Sequence, residues 1–160
     1  MTGLERLLTA LHEEGAAFII IGGIAARIHG AARMTQDVDI VYARTDENIR
    51  RVVEALVQFK PYLRGAPRGL PFEWSAATIR AGLNFTLTTT AGDIDLLGEI
   101  VGGGGYEDLA PRSVPVTVFG NDTLVLDLPW LIQVKRAAGR PKDLEAIAEL
   151  EVLLDLRAEE

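Results

Sequence analysis

Amphipathic helices are predicted where apolar residues recur every three or four positions along the chain. The clearest of these stripes cover residues 4–11, residues 49–57 and residues 144–154. The first stripe is followed by Gly15, a residue that commonly ends a helix, and the second is preceded by Thr45, which can cap a helix start. A shorter helix is expected at residues 24–29. Another is expected between Asp127 and Gly139.

Short apolar or alternating runs between these helices predict strands. In chain order they are residues 17–21, 38–42, 84–90, 94–97, 114–118 and 123–126, the last two forming a hairpin. Residues 61–71 are rich in proline, glycine and arginine and are predicted to be a loop. The length of 160 residues, with no repeat and no linker, predicts one domain over residues 1–160. The expected fold class is α/β (α+β), with a mixed sheet of about five strands flanked by helices.

The composition is that of a globular protein and excludes several functional classes. The net charge of −7 argues against general nucleic-acid binding, although positive charge gathers at Lys135, Arg136, Arg140 and Lys142. A solvated helix end explains that basic cluster as well as a binding site does. There is no cysteine, so disulfides, thiolate metal sites and thiol nucleophiles are excluded together. We expect a cytoplasmic protein without a membrane partner, because no apolar run approaches ~20 residues and the acidic start is unlike a signal peptide.

The residues with candidate chemistry begin with the paired acids Asp37 and Asp39. Residues two apart on a strand project to the same face, while Val38 and Ile40 face the opposite, core side. Two such carboxylates repel each other, but a bound divalent cation reverses that balance, and hard oxygen ligands suit magnesium. A lone pair of this kind is more often a solvated loop acid than a metal site, so other residues must support it.

Two other segments strengthen the prediction of a phosphate and metal site. Gly22 and Gly23 separate a buried strand from a short helix, where glycine allows close backbone approach and helix amides can bind phosphate. Asp93 and Asp95 share one face of a later apolar strand. Two-metal phosphoryl transfer needs several carboxylates around ions about 4 Å apart, which two acidic strands can supply. Taken alone, Gly22 and Gly23 are better explained by a plain strand-to-helix turn. Exposed edge acids are a common explanation for Asp93 and Asp95, but the apolar residues around them make it less attractive.

Together these motifs resemble the nucleotidyltransferase superfamily, which includes DNA polymerase beta and antibiotic nucleotidyltransferases. The resemblance lies in a GG pair, the pattern HGxxRxTxDxD and a later aspartate between hydrophobic residues, here at residues 22–23, 29–39 and 94–96. The segment KRAAGRPKDLEAI, residues 135–147, resembles the KxxAxRxKDxxD motif of small AbiEii/AbiGii toxin-type members. It departs from that motif at Ala146, where the branch often has an acid.

The resemblance implies metal and substrate contacts for individual residues. Asp37 and Asp39 would bind Mg²⁺ or Mn²⁺, and Asp95 would bind metal or help to deprotonate an acceptor hydroxyl. Arg33 and Thr35 would bind phosphate or brace the loop that carries them. The residues implied to hold the nucleoside triphosphate are Gly22, Gly23, Arg33, Thr35 and Lys135.

The implied function is a metal-dependent transfer of a nucleoside monophosphate from a nucleoside triphosphate to a hydroxyl of RNA, protein or a small molecule. The toxin-type branch also implies toxin-like activity and an antitoxin-like partner. The main alternative is a catalytically inactive nucleotide-binding or protein-interaction module of the same fold. A haloacid-dehalogenase-type phosphatase fits poorly, because the apolar residues lie within and after the Asp37–Asp39 pair. A P-loop enzyme fits poorly as well, because GK[ST] does not follow the glycines at residues 102–105. His29 is expected to pack against or cap the short helix.

Overall fold

The computed structural model describes residues 1–35 and 37–159, which form seven α-helices and nine β-strands. The helices are Gly3–Glu13 (α1), Gly22–Ile28 (α2), Asp46–Leu56 (α3), Ala76–Ala81 (α4), Tyr106–Leu109 (α5), Leu128–Ala138 (α6) and Pro141–Ala158 (α7). The strands are Phe18–Ile21 (β1), Val38–Tyr42 (β2), Tyr62–Leu63 (β3), Phe85–Thr89 (β4), Gly92–Leu97 (β5), Glu99–Ile100 (β6), Gly104–Gly105 (β7), Ser113–Val118 (β8) and Asn121–Leu126 (β9). Within these described ranges, no helix combines the length and apolar character needed to cross a membrane.

Seven of the strands form one mixed sheet in the order β3-β4-β5-β2-β1-β9-β8. β2 pairs in parallel with β5, and β1 pairs in parallel with β9. The other neighbours in this sheet are antiparallel. β6 and β7 form a separate two-stranded ribbon. The predicted class, a mixed sheet flanked by helices, is confirmed.

The prediction of about five strands is wrong, because the main sheet of the described residues has seven. β3 has only two residues and lies within residues 61–71, which were expected to be a loop. So short a strand cannot show the alternation on which strand prediction depends. The hairpin of β8 and β9 extends the same sheet because β9 pairs with β1, and no local pattern encodes a contact between segments so far apart.

The long helices form where their apolar stripes and capping residues predict them. The Thr45 hydroxyl caps α3 by accepting a hydrogen bond from the backbone amide of Asn48, and Asp127 caps α6. α2 begins earlier than predicted, so Gly22 and Gly23 form its first turn instead of a separate turn before it. α4 and α5 have six and four residues and were not predicted, since helices of that length carry no periodic stripe.

The register at the centre of the sheet decides which side chains are buried. Ile20, Ile40 and Leu96 pair across β1, β2 and β5 and are fully buried. Side chains alternate along a strand, so the next paired row points to the opposite face. That row contains Asp39 and Asp95. A slip by one residue would bury these acids and expose the apolar row, which strongly disfavours any other register.

Candidate active site

Asp39 and Asp95 lie directly opposite each other on the parallel strands β2 and β5. Adjacent strands are about 4.8 Å apart, so paired residues on the same face bring their side chains into contact. The two carboxyl groups are close enough to share a hydrogen bond. The fold therefore brings together two of the three predicted metal ligands.

Gly22 is required by the position of the Asp39 carboxylate. It has a φ of +68°, a conformation that favours glycine, and a Cβ atom placed on it would lie 2.1 Å from Asp39 Oδ2. The close backbone approach expected for this residue is therefore an approach to a carboxylate. α2 starts at Gly22, and no side chain in the described part of the chain caps it by a hydrogen bond. Phosphate binding by Gly22 stays a prediction.

Gly23 makes room for Thr35 in the segment that leads into β2. A Cβ atom on Gly23 would lie 2.9 Å from Thr35 Cβ. Thr35 and Arg33 both line the cleft described below, and Arg33 Nη2 lies 3.9 Å from Glu145 Oε2 on α7. That Thr35 braces its loop stays a prediction. Phosphate contacts for Arg33 and Thr35 stay predictions.

The Asp39 carboxyl lies in surroundings that disfavour its charged form. Burial, a hydrogen bond with Asp95 and the negative charges of Asp95 and Asp37 raise the pKa of Asp39 to about 7, with Lys135 acting in the opposite direction. From the protein groups alone, the Asp39 carboxyl therefore retains its proton more readily than an isolated aspartate does.

Asp37 is exposed and lies immediately before β2. Its negative charge contributes to the raised pKa of Asp39. Among residues 1–35 and 37–159, no three aspartate, glutamate or histidine side chains are arranged closely enough to hold a metal ion. The role of Asp37 as a metal ligand therefore stays a prediction.

The chemistry of Asp39 and Asp95 fits a hard divalent cation. Their carboxylate oxygens are the ligands that Mg²⁺ and Mn²⁺ prefer. Gly22 leaves free the space beside Asp39 Oδ2 that a side chain would fill. A cation at this position would offset the negative charges of Asp95 and Asp37, which add to the effect of burial in raising the pKa of Asp39.

Asp39 and Asp95 open onto a cleft of about 680 Å³ that both acidic and basic residues line. The basic residues are Arg33, Lys135 on α6, and Arg140 and Lys142 at the start of α7. Apolar residues of α2, α6 and the β6–β7 ribbon complete the lining. A volume of this size is typical of small-molecule sites, which span roughly 300–1,000 Å³.

The predicted basic cluster is divided between the cleft and the solvent. Lys135, Arg140 and Lys142 line the cleft. Arg136, by contrast, forms an exposed ion pair in which its Nη2 lies 2.6 Å from Glu151 Oε1. The interpretation as a solvated helix end therefore holds for Arg136, whereas a binding role for the three residues that line the cleft stays a prediction.

Asp143 holds two of these basic residues and was not predicted to be part of the site. Arg140 Nε donates to Asp143 Oδ2 at 2.6 Å, and Lys135 Nζ lies 3.9 Å from Asp143 Oδ1. The Asp143 side chain is only 4 % exposed. Burial acts to raise the pKa of Asp143, but the hydrogen bonds and charge of Arg140 outweigh it and hold that pKa below its ordinary value. Burial also lowers the pKa of Lys135, against the opposing charges of Asp143 and Asp39.

Arg64 contacts Asp95 and was missed entirely by the sequence analysis. Its Nη2 donates to Asp95 Oδ1 at 2.8 Å and to the Leu87 carbonyl at 2.7 Å. Its Nε lies 3.2 Å from Asp93 Oδ2, so the two side chains form an ion pair. Within the described structure, however, this Nε atom has no hydrogen-bond partner. Arg64 directly follows the two-residue strand β3, so no pattern in the sequence indicates its proximity to Asp95.

His29 and Trp74 have structural roles. His29 Nε2 lies 2.8 Å from the Leu126 carbonyl, and the residue is the C-cap of α2, which confirms the expectation that it packs or caps. Trp74 Nε1 donates to the Val53 carbonyl at 3.0 Å and so anchors its loop on α3.

Comparisons with known proteins agree with this architecture at the level of the fold. No family model and no curated protein matches the chain. Among solved structures, the chain is similar to the crystal structure, at 1.87 Å resolution, of a "putative nucleotidyltransferase" from Thermotoga maritima. The TM-score is 0.52 with 16 % sequence identity, and the match covers 98 % of this chain and 91 % of the other. The chain therefore has the nucleotidyltransferase fold, as predicted, while its place in the toxin-type branch stays a prediction.

Proposed function

We propose that the protein is a metal-dependent nucleotidyltransferase that transfers a nucleoside monophosphate from a nucleoside triphosphate to an acceptor hydroxyl. The observation that carries this proposal is the direct pairing of Asp39 with Asp95 at a cleft that is also lined by the basic residues Lys135, Arg140 and Lys142. Carboxylates alone would repel a triphosphate, and basic residues alone would bind any anion. Their combination in one cleft suits a polyphosphate that arrives with a cation.

The basic residues have the reach and charge to bind the polyphosphate part of the substrate. Lys135 is partly buried and already lies close enough to Asp39 for their charges to interact. Arg140 and Lys142 add positive charge at the start of α7. We assign the triphosphate to Lys135, with Gly22, Gly23, Arg33 and Thr35 as the predicted contacts on the opposite side.

The proposed reaction is an attack by the acceptor oxygen on the α-phosphorus. The new bond joins that oxygen to phosphorus, the bond from phosphorus to the oxygen bridging to the β-phosphate breaks, and pyrophosphate leaves. The acceptor hydroxyl loses its proton, for which Asp95 is the base nearest to the proposed metal site. A bound Mg²⁺ or Mn²⁺ would polarise the phosphate oxygens and offset the charge that develops during transfer.

Turnover of labelled nucleoside triphosphates in Mg²⁺ or Mn²⁺, with and without cell extract, tests this proposal. We expect D39N and D95N to lower turnover by orders of magnitude. The matched control is D93N, since Asp93 lies on the same strand face but outside the Asp39–Asp95 pair. D95N should change triphosphate affinity little, because the acceptor-activating role of Asp95 is exerted in the transition state. A loss of activity in D93N with full activity in D95N would contradict the assignment.

The alternative function is a nucleotide-binding or protein-interaction module without catalysis. It is favoured by one observation, the ion pair through which Arg64 already engages Asp95. Isothermal titration with a triphosphate in Mg²⁺, combined with the turnover assay, separates the two functions. Binding that depends on Lys135 without any turnover or labelled acceptor would favour the module.

The acceptor and the biological role are tested by the same labelling. The acceptor, whether RNA, protein or a small molecule, is identified by what becomes labelled in extract. A toxin-like role predicts that expression slows growth and that D39N abolishes this effect. It also predicts that an antitoxin-like partner restores growth. Normal growth at high expression of an active enzyme would contradict the toxin-like role.

A further inference from the structure

Arg64 is bound to the carboxylate on which the proposed metal site depends. The Nη2–Asp95 Oδ1 distance of 2.8 Å is that of a charge-assisted hydrogen bond. The side chains of Arg64 and Asp95 are 26 % and 24 % exposed, so water screens their interaction only in part. The contact therefore places a full positive charge beside Asp95, where it opposes the binding of a cation to the same carboxylate.

The position of Arg64 is fixed by its backbone as well as by its charge. Its amide donates to the Thr86 carbonyl at 3.0 Å, which continues the pairing of β3 with β4. Its guanidinium also donates to the Leu87 carbonyl on β4. Two anchors on β4 hold the side chain over β5, where Asp95 and Asp93 share a face. The short strand β3 thus positions Arg64 beside Asp95 and Asp93 on β5.

We propose that Arg64 is a positioning residue that holds Asp95 beside Asp39 and sets the affinity of this carboxylate pair for divalent cations. The inference rests on the proposed function. Arg64 has two opposing effects on the site. It restricts the orientation of Asp95, which favours catalysis, and its charge competes with a cation for the same carboxylate, which weakens metal binding.

Mn²⁺ binding to the full chain, measured by isothermal titration and by electron paramagnetic resonance, tests the charge effect without any turnover. We expect R64Q to bind Mn²⁺ about five- to tenfold more tightly, from the removal of one unit charge a few ångströms from the cation. R64K retains the charge and should bind Mn²⁺ as the wild type does. R80Q is the matched control, because Arg80 forms an arginine–carboxylate pair of the same 2.8 Å length with Asp46 on α3.

The positioning effect is measured in the same variants. We expect R64Q to lower kcat at saturating metal while KM for the triphosphate stays nearly constant, and R64K to restore part of the loss. A merely structural role would instead lower the thermal midpoint without changing Mn²⁺ affinity. Should R64Q fail to fold, ¹⁵N spectra of the arginine side chains in the wild type give the answer, since Mg²⁺ should shift the Arg64 signals with the affinity found calorimetrically.

The failures of this inference and of the proposed function are distinguishable. If the wild type binds Mn²⁺ in a manner abolished by D39N, and R64Q binds it no more tightly than R64K, the inference about Arg64 is wrong and the proposed function stands. If neither the wild type nor R64Q binds Mn²⁺, both are overturned. Tighter binding in R64Q but not in R80Q or R64K supports the inference.

Discussion

Substitution of Gly22 by alanine should damage both stability and activity, because Gly22 and the Asp39 carboxylate occupy adjoining space. The new Cβ atom would lie 2.1 Å from Asp39 Oδ2 and 3.0 Å from Asp39 Cγ, well inside van der Waals contact. The φ of +68° adds a second cost, because alanine rarely adopts this conformation. Either the start of α2 or the Asp39 side chain must therefore move.

The two costs can be separated in magnitude. The left-handed conformation costs a non-glycine residue about 1–2 kcal/mol. Forcing an extra methyl group into a packed position costs about a further 1–3 kcal/mol. We expect G22A to lose roughly 2–5 kcal/mol of unfolding free energy by the sum of these terms. For a chain of this size each kilocalorie lowers Tm by about 2–4 °C.

G120A is the matched control for G22A. Gly120 has a φ of +82°, yet no atom of the described chain outside its neighbours lies within 4 Å of a Cβ placed there. This variant should therefore show the conformational cost alone, about 1–2 kcal/mol. Urea denaturation followed by circular dichroism measures both variants, and labelled triphosphate turnover measures the displacement of Asp39. Equal destabilisation of G22A and G120A, with wild-type turnover in G22A, would refute the proposed contact between Gly22 and Asp39.

Two further predictions concern stability away from the carboxylate pair. D143N should lower the unfolding free energy by about 1–3 kcal/mol, because it removes a buried acceptor of charged hydrogen bonds from Arg140, whereas the exposed D122N should be nearly neutral. The pKa of Asp143 lies below its ordinary value in the folded protein. The stabilisation that Asp143 provides is therefore complete above its pKa in the unfolded chain and is lost as the pH falls through its pKa in the folded protein. The unfolding free energy of D143N, measured from pH 6 to pH 2, should decline less than that of the wild type. N48A should cost about 2–4 kcal/mol in chemical denaturation, since the buried Asn48 amide joins the ends of β1 and β2 to α3 through three hydrogen bonds, whereas Q58A, which removes one bond at an exposed position, should cost under about 1 kcal/mol.

The acidic site shows how far local patterns reach. The alternation around Asp39 and Asp95 correctly predicted that each acid leaves a buried strand on the side away from the core, because alternation is a property of one strand. Their contact depends on the parallel pairing of β2 and β5, which periodicity could not predict. The resemblance to a known family implied only that Asp39 and Asp95 act at the same metal site. Arg64 lies beyond both sources of information, since β3 is too short to show a pattern and the family motifs do not include it.

The basic side of the cleft shows a different limit. The cluster around Lys135 was visible in the sequence, but charge alone could not tell which members face the cleft. Helix geometry divides them: Lys135 and Arg136 are neighbours on α6 and so point in different directions. Asp143 lies within the segment that resembles the KxxAxRxKDxxD motif, but no role was assigned to it, because its contact with Lys135 is created by the packing of α6 against α7.

The charges of the cleft explain why a cation belongs to the proposed reaction. Arg64 neutralises Asp95 from one side and Lys135 acts on Asp39 from another, yet the pKa of Asp39 still rises to about 7. The cause is first burial and then the negative charges of Asp95 and Asp37, which the positive charges of the protein do not fully offset. A proton can offset the charge of Asp39, and a divalent cation does so with charge to spare. The surplus is what a triphosphate requires, because its own negative charge must enter the same cleft. On this argument, metal and nucleotide should bind cooperatively, with the metal affinity measured in the presence of triphosphate exceeding that of the protein alone.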